Sequence, residues 1–134
     1  MSGGPRNALI PELAVSDIAA SLRFYTEVLG FAVVYDRPAE GFALLRLEDN
    51  ELMLDQLGVG RDWAMGALER PFGRGVNLQM RVSALEPILQ RLEKADVALF
   101  LAPEHRVYEI GGQAATQHQF VVGDPDGYLL RFCA

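Results

Sequence analysis

The sequence predicts an α+β fold made of two successive units, each a strand, a helix and three further strands. Three observations lead there. The stretch Leu9–Phe31 reads as a strand feeding a helix, the same pattern returns around Val82, 67 positions beyond Val15 (82 − 15 = 67), and short β-forming runs follow each copy. In both copies a serine follows the valine, and an apolar stripe then runs at helical spacing through Ile18, Leu22 and Tyr25 or Leu85, Leu89 and Leu92. Residues at i, i+4 and i+7 share one helix face, so each copy has one stripe to bury against a sheet. A doubled architecture with a cleft between or across the units is the consequence.

In order along the chain, residues 1–7 lack periodicity and read as a loose tail. Ala8–Val15 alternates as a strand, although Pro11 has no N–H for a ladder and marks an edge position or a break, hence a candidate hinge. Ser16 is placed to cap the helix, Asp17 suits its positive end, and Gly30 stands where a left-handed residue closes it. Phe31–Tyr35 and Phe42–Leu47 are the next strands, and Asp49-Asn50 turns the chain into Glu51–Gln56. A first unit thus covers residues 8–56. Between 57 and 74 the periodicity dissolves among Gly58, Gly60, Gly66 and Gly73, which marks a linker carrying Trp63.

The second unit, residues 75–134, opens on Gly75–Val82, where Val76, Leu78, Met80 and Val82 alternate with Asn77, Gln79 and Arg81. Such alternation gives a strand one apolar and one polar face. Ser83 with Glu86 fits a capping box for a helix that contains Pro87. Ala98–Leu101, a segment around Val107–Ile110, Gln117–Val122 and Tyr128–Phe132 supply the remaining strands, with Asp124-Pro125-Asp126-Gly127 as the last turn. The two units together make one structural domain.

Composition narrows the function. The 134 residues are 50% apolar, enough for a real core. No apolar run reaches the roughly 20 residues that cross a bilayer, and MSGGPRNA lacks a secretory pattern, so a cytoplasmic protein without membrane contact is expected. The single Cys133 excludes an internal disulfide and a cysteine-based zinc site. A net charge of −6 and a pI near 4.8 argue against nucleic acid, and Arg61, Arg70 and Arg74 lie among acids and glycines. Acidity suits cationic or neutral ligands, and equally serves solubility.

VSDIAASLRFYTEVLGF after the first strand, the repeated unit at 75–101 and HQFVVGDPDGYLLRF at the end resemble the vicinal-oxygen-chelate superfamily, which includes glyoxalase I, extradiol dioxygenases, fosfomycin-resistance enzymes and bleomycin-resistance proteins. The resemblance implies that each βαβββ unit curls into a half-barrel and that paired units enclose a ligand cleft. It also implies four strand positions for a divalent cation in the metalloenzymes, which fall on Ile10, Asp55, Asn77 and Arg131. Only Asp55 is an ordinary ligand there, because isoleucine has no donor atom and a guanidinium has no lone pair to give. No metal and no cofactor are expected at these positions. His105, in an expected loop, and His118, in a strand, match none of the four and read as surface or hydrogen-bonding groups.

Among the metal-free branches the chain is most similar to the bleomycin-resistance proteins, which sequester the drug without modifying it. They are dimers with clefts at the subunit interface, and their first strand is exchanged about a proline to which Pro11 corresponds; an ordinary edge proline is the alternative. If Ile10 faces the cleft, so do Glu12 and Ala14, while Asn77 brings Gln79 and Arg81, and Arg131 brings Leu129 and Cys133. Asp55 with Arg131 and Glu12 with Arg81 are the expected ion pairs. Tyr35, Phe42, Trp63 and Tyr108 are the aromatic candidates for stacking, and His118 completes the set. GGQAATQ before His118 lacks the tryptophan of some bleomycin binders.

The expected function is therefore metal-independent capture of a cationic or amphipathic aromatic small molecule, bleomycin-like in the resembled case, by a homodimer with no catalytic residue. The alternative is a divergent metal-dependent enzyme of the same superfamily, a lyase, isomerase or dioxygenase using Asp55, Glu12 and a histidine.

Overall fold

The computed structural model describes residues 3–134. The chain order is β1 (Glu12–Val15), α1 (Ile18–Arg23), β2 (Ala32–Arg37), β3 (Phe42–Leu47), β4 (Asn50–Gln56), β5 (Asn77–Arg81), α2 (Glu86–Lys94), β6 (Leu101–Ile110), β7 (Gln113–Gly123) and β8 (Leu129–Cys133). Two βαβββ units result, each a four-stranded mixed sheet curled as a half-barrel, in the orders β1-β4-β3-β2 and β5-β8-β7-β6. In both, the first strand runs parallel to the last and the other pairs are antiparallel. The connection from 57 to 76 contains neither helix nor strand.

Alternation decides what faces inward. Leu13, Val15, Ala43, Leu45, Leu52 and Leu54 of the first sheet join Met80, Val82, Phe120, Val122, Leu130 and Phe132 of the second in one buried cluster. The stripes named from sequence fill it, with Tyr25, Leu85 and Leu92 buried, and Ile88 of α2, outside the named stripe, is buried beside them. The first helix continues past Arg23 as a wider π turn over Phe24–Val28 and ends at Gly30, whose φ of 94° is the left-handed close expected there. Arg91 of α2 donates to the helix-end carbonyls of Val28 and Leu29 at 2.8 and 3.0 Å, so one helix satisfies the end of the other.

Neither serine acts as a helix cap. Asp17 caps α1 through Ala20 N–H, and α2 starts after Leu85 with no side-chain cap, so the Ser83–Glu86 box is not formed. Both serines are engaged across the two units instead. Ser16 donates from its backbone and hydroxyl to Asp126 in the β7–β8 turn (3.0 and 2.6 Å), and Ser83 donates likewise to Glu48 in the β3–β4 turn (2.9 and 3.1 Å). The clasps are reciprocal: the serine after the first strand of each unit meets the carboxylate of the last turn of the other. Glu48 takes φ 54° to do so. The seam is reinforced by Tyr25, whose hydroxyl donates to Asp124 at 2.7 Å, and by Tyr128, which donates to the Ala14 carbonyl at 2.9 Å.

Three boundaries differ from expectation. Residues 8–11 precede the first strand, with the Pro11 carbonyl accepting from Met53 N–H. The β3–β4 turn falls on Glu48-Asp49, one residue early. The segments at 98–101 and 107–110 are not separate strands: a single ten-residue β6 starts at Leu101, so His105 lies in a strand and not in a loop. The turn that makes β6 and β7 one long hairpin is Gly111-Gly112, with φ 57° and 82°, a pair only glycine adopts freely.

Candidate functional site

With Leu13 and Val15 committed to the core, β1 turns Glu12 and Ala14 to the opposite, concave face of the first sheet. The same rule places Met53 and Asp55 of β4 there, and the pairings of Tyr35 with Leu44 and of Arg37 with Phe42 bring the edge strand's side chains alongside. The connection after β4 folds back so that Arg61 and Trp63 border the same space. Glu12, Tyr35, Phe42, Asp55 and Trp63, five of the residues named from sequence, thus line one recess of about 470 Å³ together with Arg37 and Arg61. An adjoining space of about 150 Å³ shares Glu12, Asp55, Arg61 and Trp63 and adds Leu57, Leu68 and Tyr128.

Two carboxyl groups meet at the floor of this recess. Burial pushes the Glu12 carboxyl up to about 7, helped by its hydrogen bond to Asp55 and by the Asp55 charge, and opposed by Arg37. Glu12 therefore exchanges its proton near neutrality. Around it the aromatic faces carry planar cations: the Arg37 guanidinium lies 4.0 Å from the Phe42 ring centre and 5.7 Å from that of Tyr35, and Arg61 lies 5.0 Å from Trp63. Cation–π attraction holds such pairs, and Arg37, Arg61 and Trp63 are exposed, so a ligand cation can take a guanidinium's place on these rings. Arg37 is not among the residues named from sequence, although the period-2 step from Tyr35 to Arg37 is an available signal, and Arg61, read there only as one of three arginines among acids and glycines, lines the recess.

Asn77, Gln79, Tyr108 and Arg131 gather elsewhere, on the concave face of the second sheet. Arg131 donates to Asn77 Oδ1 at 3.0 Å and to Gln119 Oε1 at 3.4 Å, and Gln119 donates to Glu104 at 2.8 Å and to the Tyr108 hydroxyl at 3.0 Å. Gln117 donates to Gln119 at 2.9 Å and to Gln79 at 3.5 Å. Gln119, buried and central, escaped the sequence reading because its role depends on β6 and β7 forming one hairpin. Arg81 lies nearby, beside Tyr108, Gln117 and Cys133.

The expected ion pairs of Asp55 with Arg131 and of Glu12 with Arg81 do not form, because their members belong to different sheets: Glu12 meets Asp55, and amides satisfy Arg131. His118 shares the strand face of Phe120, opposite to Gln117 and Gln119, and its ring stacks on His105. It therefore stands apart from both groups.

Strand register also corrects one of the four metal positions. Glu12 pairs with Met53, and Gln79, its counterpart 67 positions on, pairs with Arg131. Met53, not Asp55, is thus the equivalent of Arg131. Ile10, Met53, Asn77 and Arg131 offer one amide oxygen and one thioether, a donor set that does not fit a hard divalent cation. Among the described residues no three His, Cys, Asp or Glu side chains gather to hold a metal ion.

Comparison with known proteins agrees with this architecture. The family model of the Glyoxalase/Bleomycin resistance protein/Dioxygenase superfamily matches residues 9–132. A superfamily member from Vibrio splendidus 12B01 is 43% identical over 92% of this chain and 95% of its own, with a TM-score of 0.41. TioX from Micromonospora sp. ML1 is 19% identical, covering 96% of this chain and 98% of its own, with a TM-score of 0.72. A glyoxalase/bleomycin resistance protein/dioxygenase from Alicyclobacillus acidocaldarius is 14% identical over 97% and 92%, with a TM-score of 0.64. No curated protein matches the chain significantly.

Proposed function

The chain belongs to the glyoxalase/bleomycin resistance protein/dioxygenase superfamily, and from that membership we propose that it is a metal-independent binding protein of the bleomycin-resistance type. It captures a cationic or amphipathic aromatic small molecule in the recess of the first sheet. The observation that carries this reading is the joining of the Glu12–Asp55 carboxyl pair to the walls formed by Tyr35, Phe42 and Trp63. Carboxylates attract a cation, aromatic faces hold a planar one at about 0.5 to 1 kcal/mol per exposed contact, and capture asks for no proton transfer.

Two chains form a homodimer in this proposal, so that the polar face of Asn77, Gln79 and Arg131 from one subunit closes the recess of the other. The first strand either stays with its own β4 or is exchanged about Pro11. The test is calorimetric titration of the full chain with metal-free and copper-loaded bleomycin and with simpler planar aromatic cations, alongside light scattering for the oligomeric state. Saturable heat that vanishes on E12Q/D55N supports the reading, and no heat with any of these probes overturns it.

One observation favours a second reading. Glu12, pushed up to about 7, is matched to acid–base work at neutral pH, so a bound ligand could exchange a proton with it. Turnover of a bound probe that is lost in E12Q would convert the binding site into an active site.

A further inference from the structure

The β6–β7 hairpin carries the chain's two histidines directly opposite one another. Their rings stack with centres 4.3 Å apart and planes 8° from parallel. Backbone pairing explains the closeness. His118 exchanges both of its backbone hydrogen bonds with Ala134 (3.0 and 3.4 Å), so its N–H and C=O point toward β8 and away from β6. His105 and His118 are therefore a non-hydrogen-bonded antiparallel pair, in which Cα atoms approach to about 4.5 Å and side chains lie closest.

Both rings stand on the face opposite Glu104, Gln117 and Gln119, which puts them outside the polar network of the second sheet. His105 is exposed and His118 half-buried, so solvent reaches the pair. They also stand on the opposite face of the second sheet from Asn77 and Arg131.

We propose that His105 and His118 form a two-imidazole site for a divalent transition metal, bridging the strands of this hairpin. Imidazole nitrogens suit borderline ions, binding at about 2.0 Å, and two nitrogens on one ion then lie about 3 Å apart. Parallel rings with centres 4.3 Å apart come to that separation by side-chain rotation that tilts their nitrogen edges together. Solvent fills the remaining coordination positions. The two imidazole nitrogens are the nearest donors, since the carboxylate that shares their face of β6, Glu109, stands two cross-strand pairs further along, so the site selects copper(II) over nickel(II) and zinc(II), and binds neither magnesium nor calcium, which want oxygen. A metal here staples the two strands of the hairpin, so it stabilises the folded chain by mass action.

The test uses the full chain without an affinity tag, titrated with copper(II), nickel(II) and magnesium. The expected result is one copper per chain, weaker nickel, no magnesium, a rise in Tm with copper, and a copper electron-paramagnetic-resonance spectrum showing two imidazole nitrogens. His105→Gln and His118→Gln should each lose the saturable binding and the Tm shift while keeping the circular dichroism of the parent. Because no other histidine exists in the chain, the parent's spectrum decides the matter even if a variant misfolds. Copper held without imidazole coupling, or held equally well by both variants, overturns the proposal.

Discussion

Ser16 donates its hydroxyl to Asp126 at 2.6 Å, and Ser83 repeats the contact with Glu48 at 3.1 Å, each reaching from one unit into the other. The contacts match in topology but not in burial: Asp126 is 1% exposed, whereas the Glu48 contact is open to solvent. Removing a donor from a buried carboxylate costs about 1.5 to 3 kcal/mol, and from an exposed one well under about 1. Ser16→Ala is therefore expected to destabilise the fold by about 2 kcal/mol and Ser83→Ala by about 0.5 kcal/mol. Urea unfolding of both variants measures the difference, and equal losses would contradict it.

Glu12 links the recess to pH. Its carboxyl is raised in the folded chain from 4.5 to about 7, so the folded state holds the proton more tightly than the unfolded state. The stabilising contribution is complete below 4.5 and is lost as pH rises through about 7. Glu12→Gln should flatten that part of the stability profile between about pH 5 and about pH 8. In the parent, deprotonation in the same window adds negative charge to the recess, so a cationic probe should bind more tightly at the alkaline end, and Glu12→Gln should remove that dependence.

Glu51 has the opposite sign. Burial works to raise its pKa, but the backbone N–H groups of Asn7 and Arg6 and the Arg46 guanidinium overcome it and hold the carboxyl at about 2. Its contribution is present above 4.5 and is lost as pH falls toward about 2. The Arg46 contact is 2.7 Å, with the Glu51 side chain 1% exposed. Removing one partner of a buried pair costs about 3 kcal/mol or more, so Glu51→Ala should lower the unfolding free energy by that amount and remove part of the acid transition.

Trp63 is the wall whose removal should spare the fold. At 68% exposed it buries little, so Trp63→Ala should change stability by under about 0.5 kcal/mol. Probe binding should weaken by about 0.5 to 1.5 kcal/mol, the worth of one aromatic contact. As the chain's one tryptophan, it also reports occupancy of the recess by fluorescence in the parent protein.

Local chemistry carried most of the fold in the sequence. The doubled unit, the two apolar stripes, Gly30 and the strict alternation of β5 follow from propensity and period, and they appear where expected. What was hidden depends on distant partners. Ser16 and Ser83 look like caps because nothing nearby shows that Asp126 and Glu48 will take them. The β6–β7 hairpin was divided because its histidines and charges mask the alternation, although Gly111-Gly112 is a hairpin-turn signal. Of the five residues of the first recess, Glu12 is legible by alternation, Asp55 by the resembled metal positions and Tyr35, Phe42 and Trp63 as aromatic candidates, but their separation from Asn77, Gln79 and Arg131 requires two concave faces in three dimensions.

The reciprocal clasps bear on what either half of the chain would do alone. An isologous contact between identical subunits makes every bond twice, related by a two-fold axis, and here both members of such a set occur within one polypeptide. Severed from its sibling, the fragment 75–134 would retain Ser83 and Asp126, a donor and an acceptor of matched geometry with no one at home to meet. Such a fragment would self-associate through them, re-creating between two molecules the pairing that this chain makes within one.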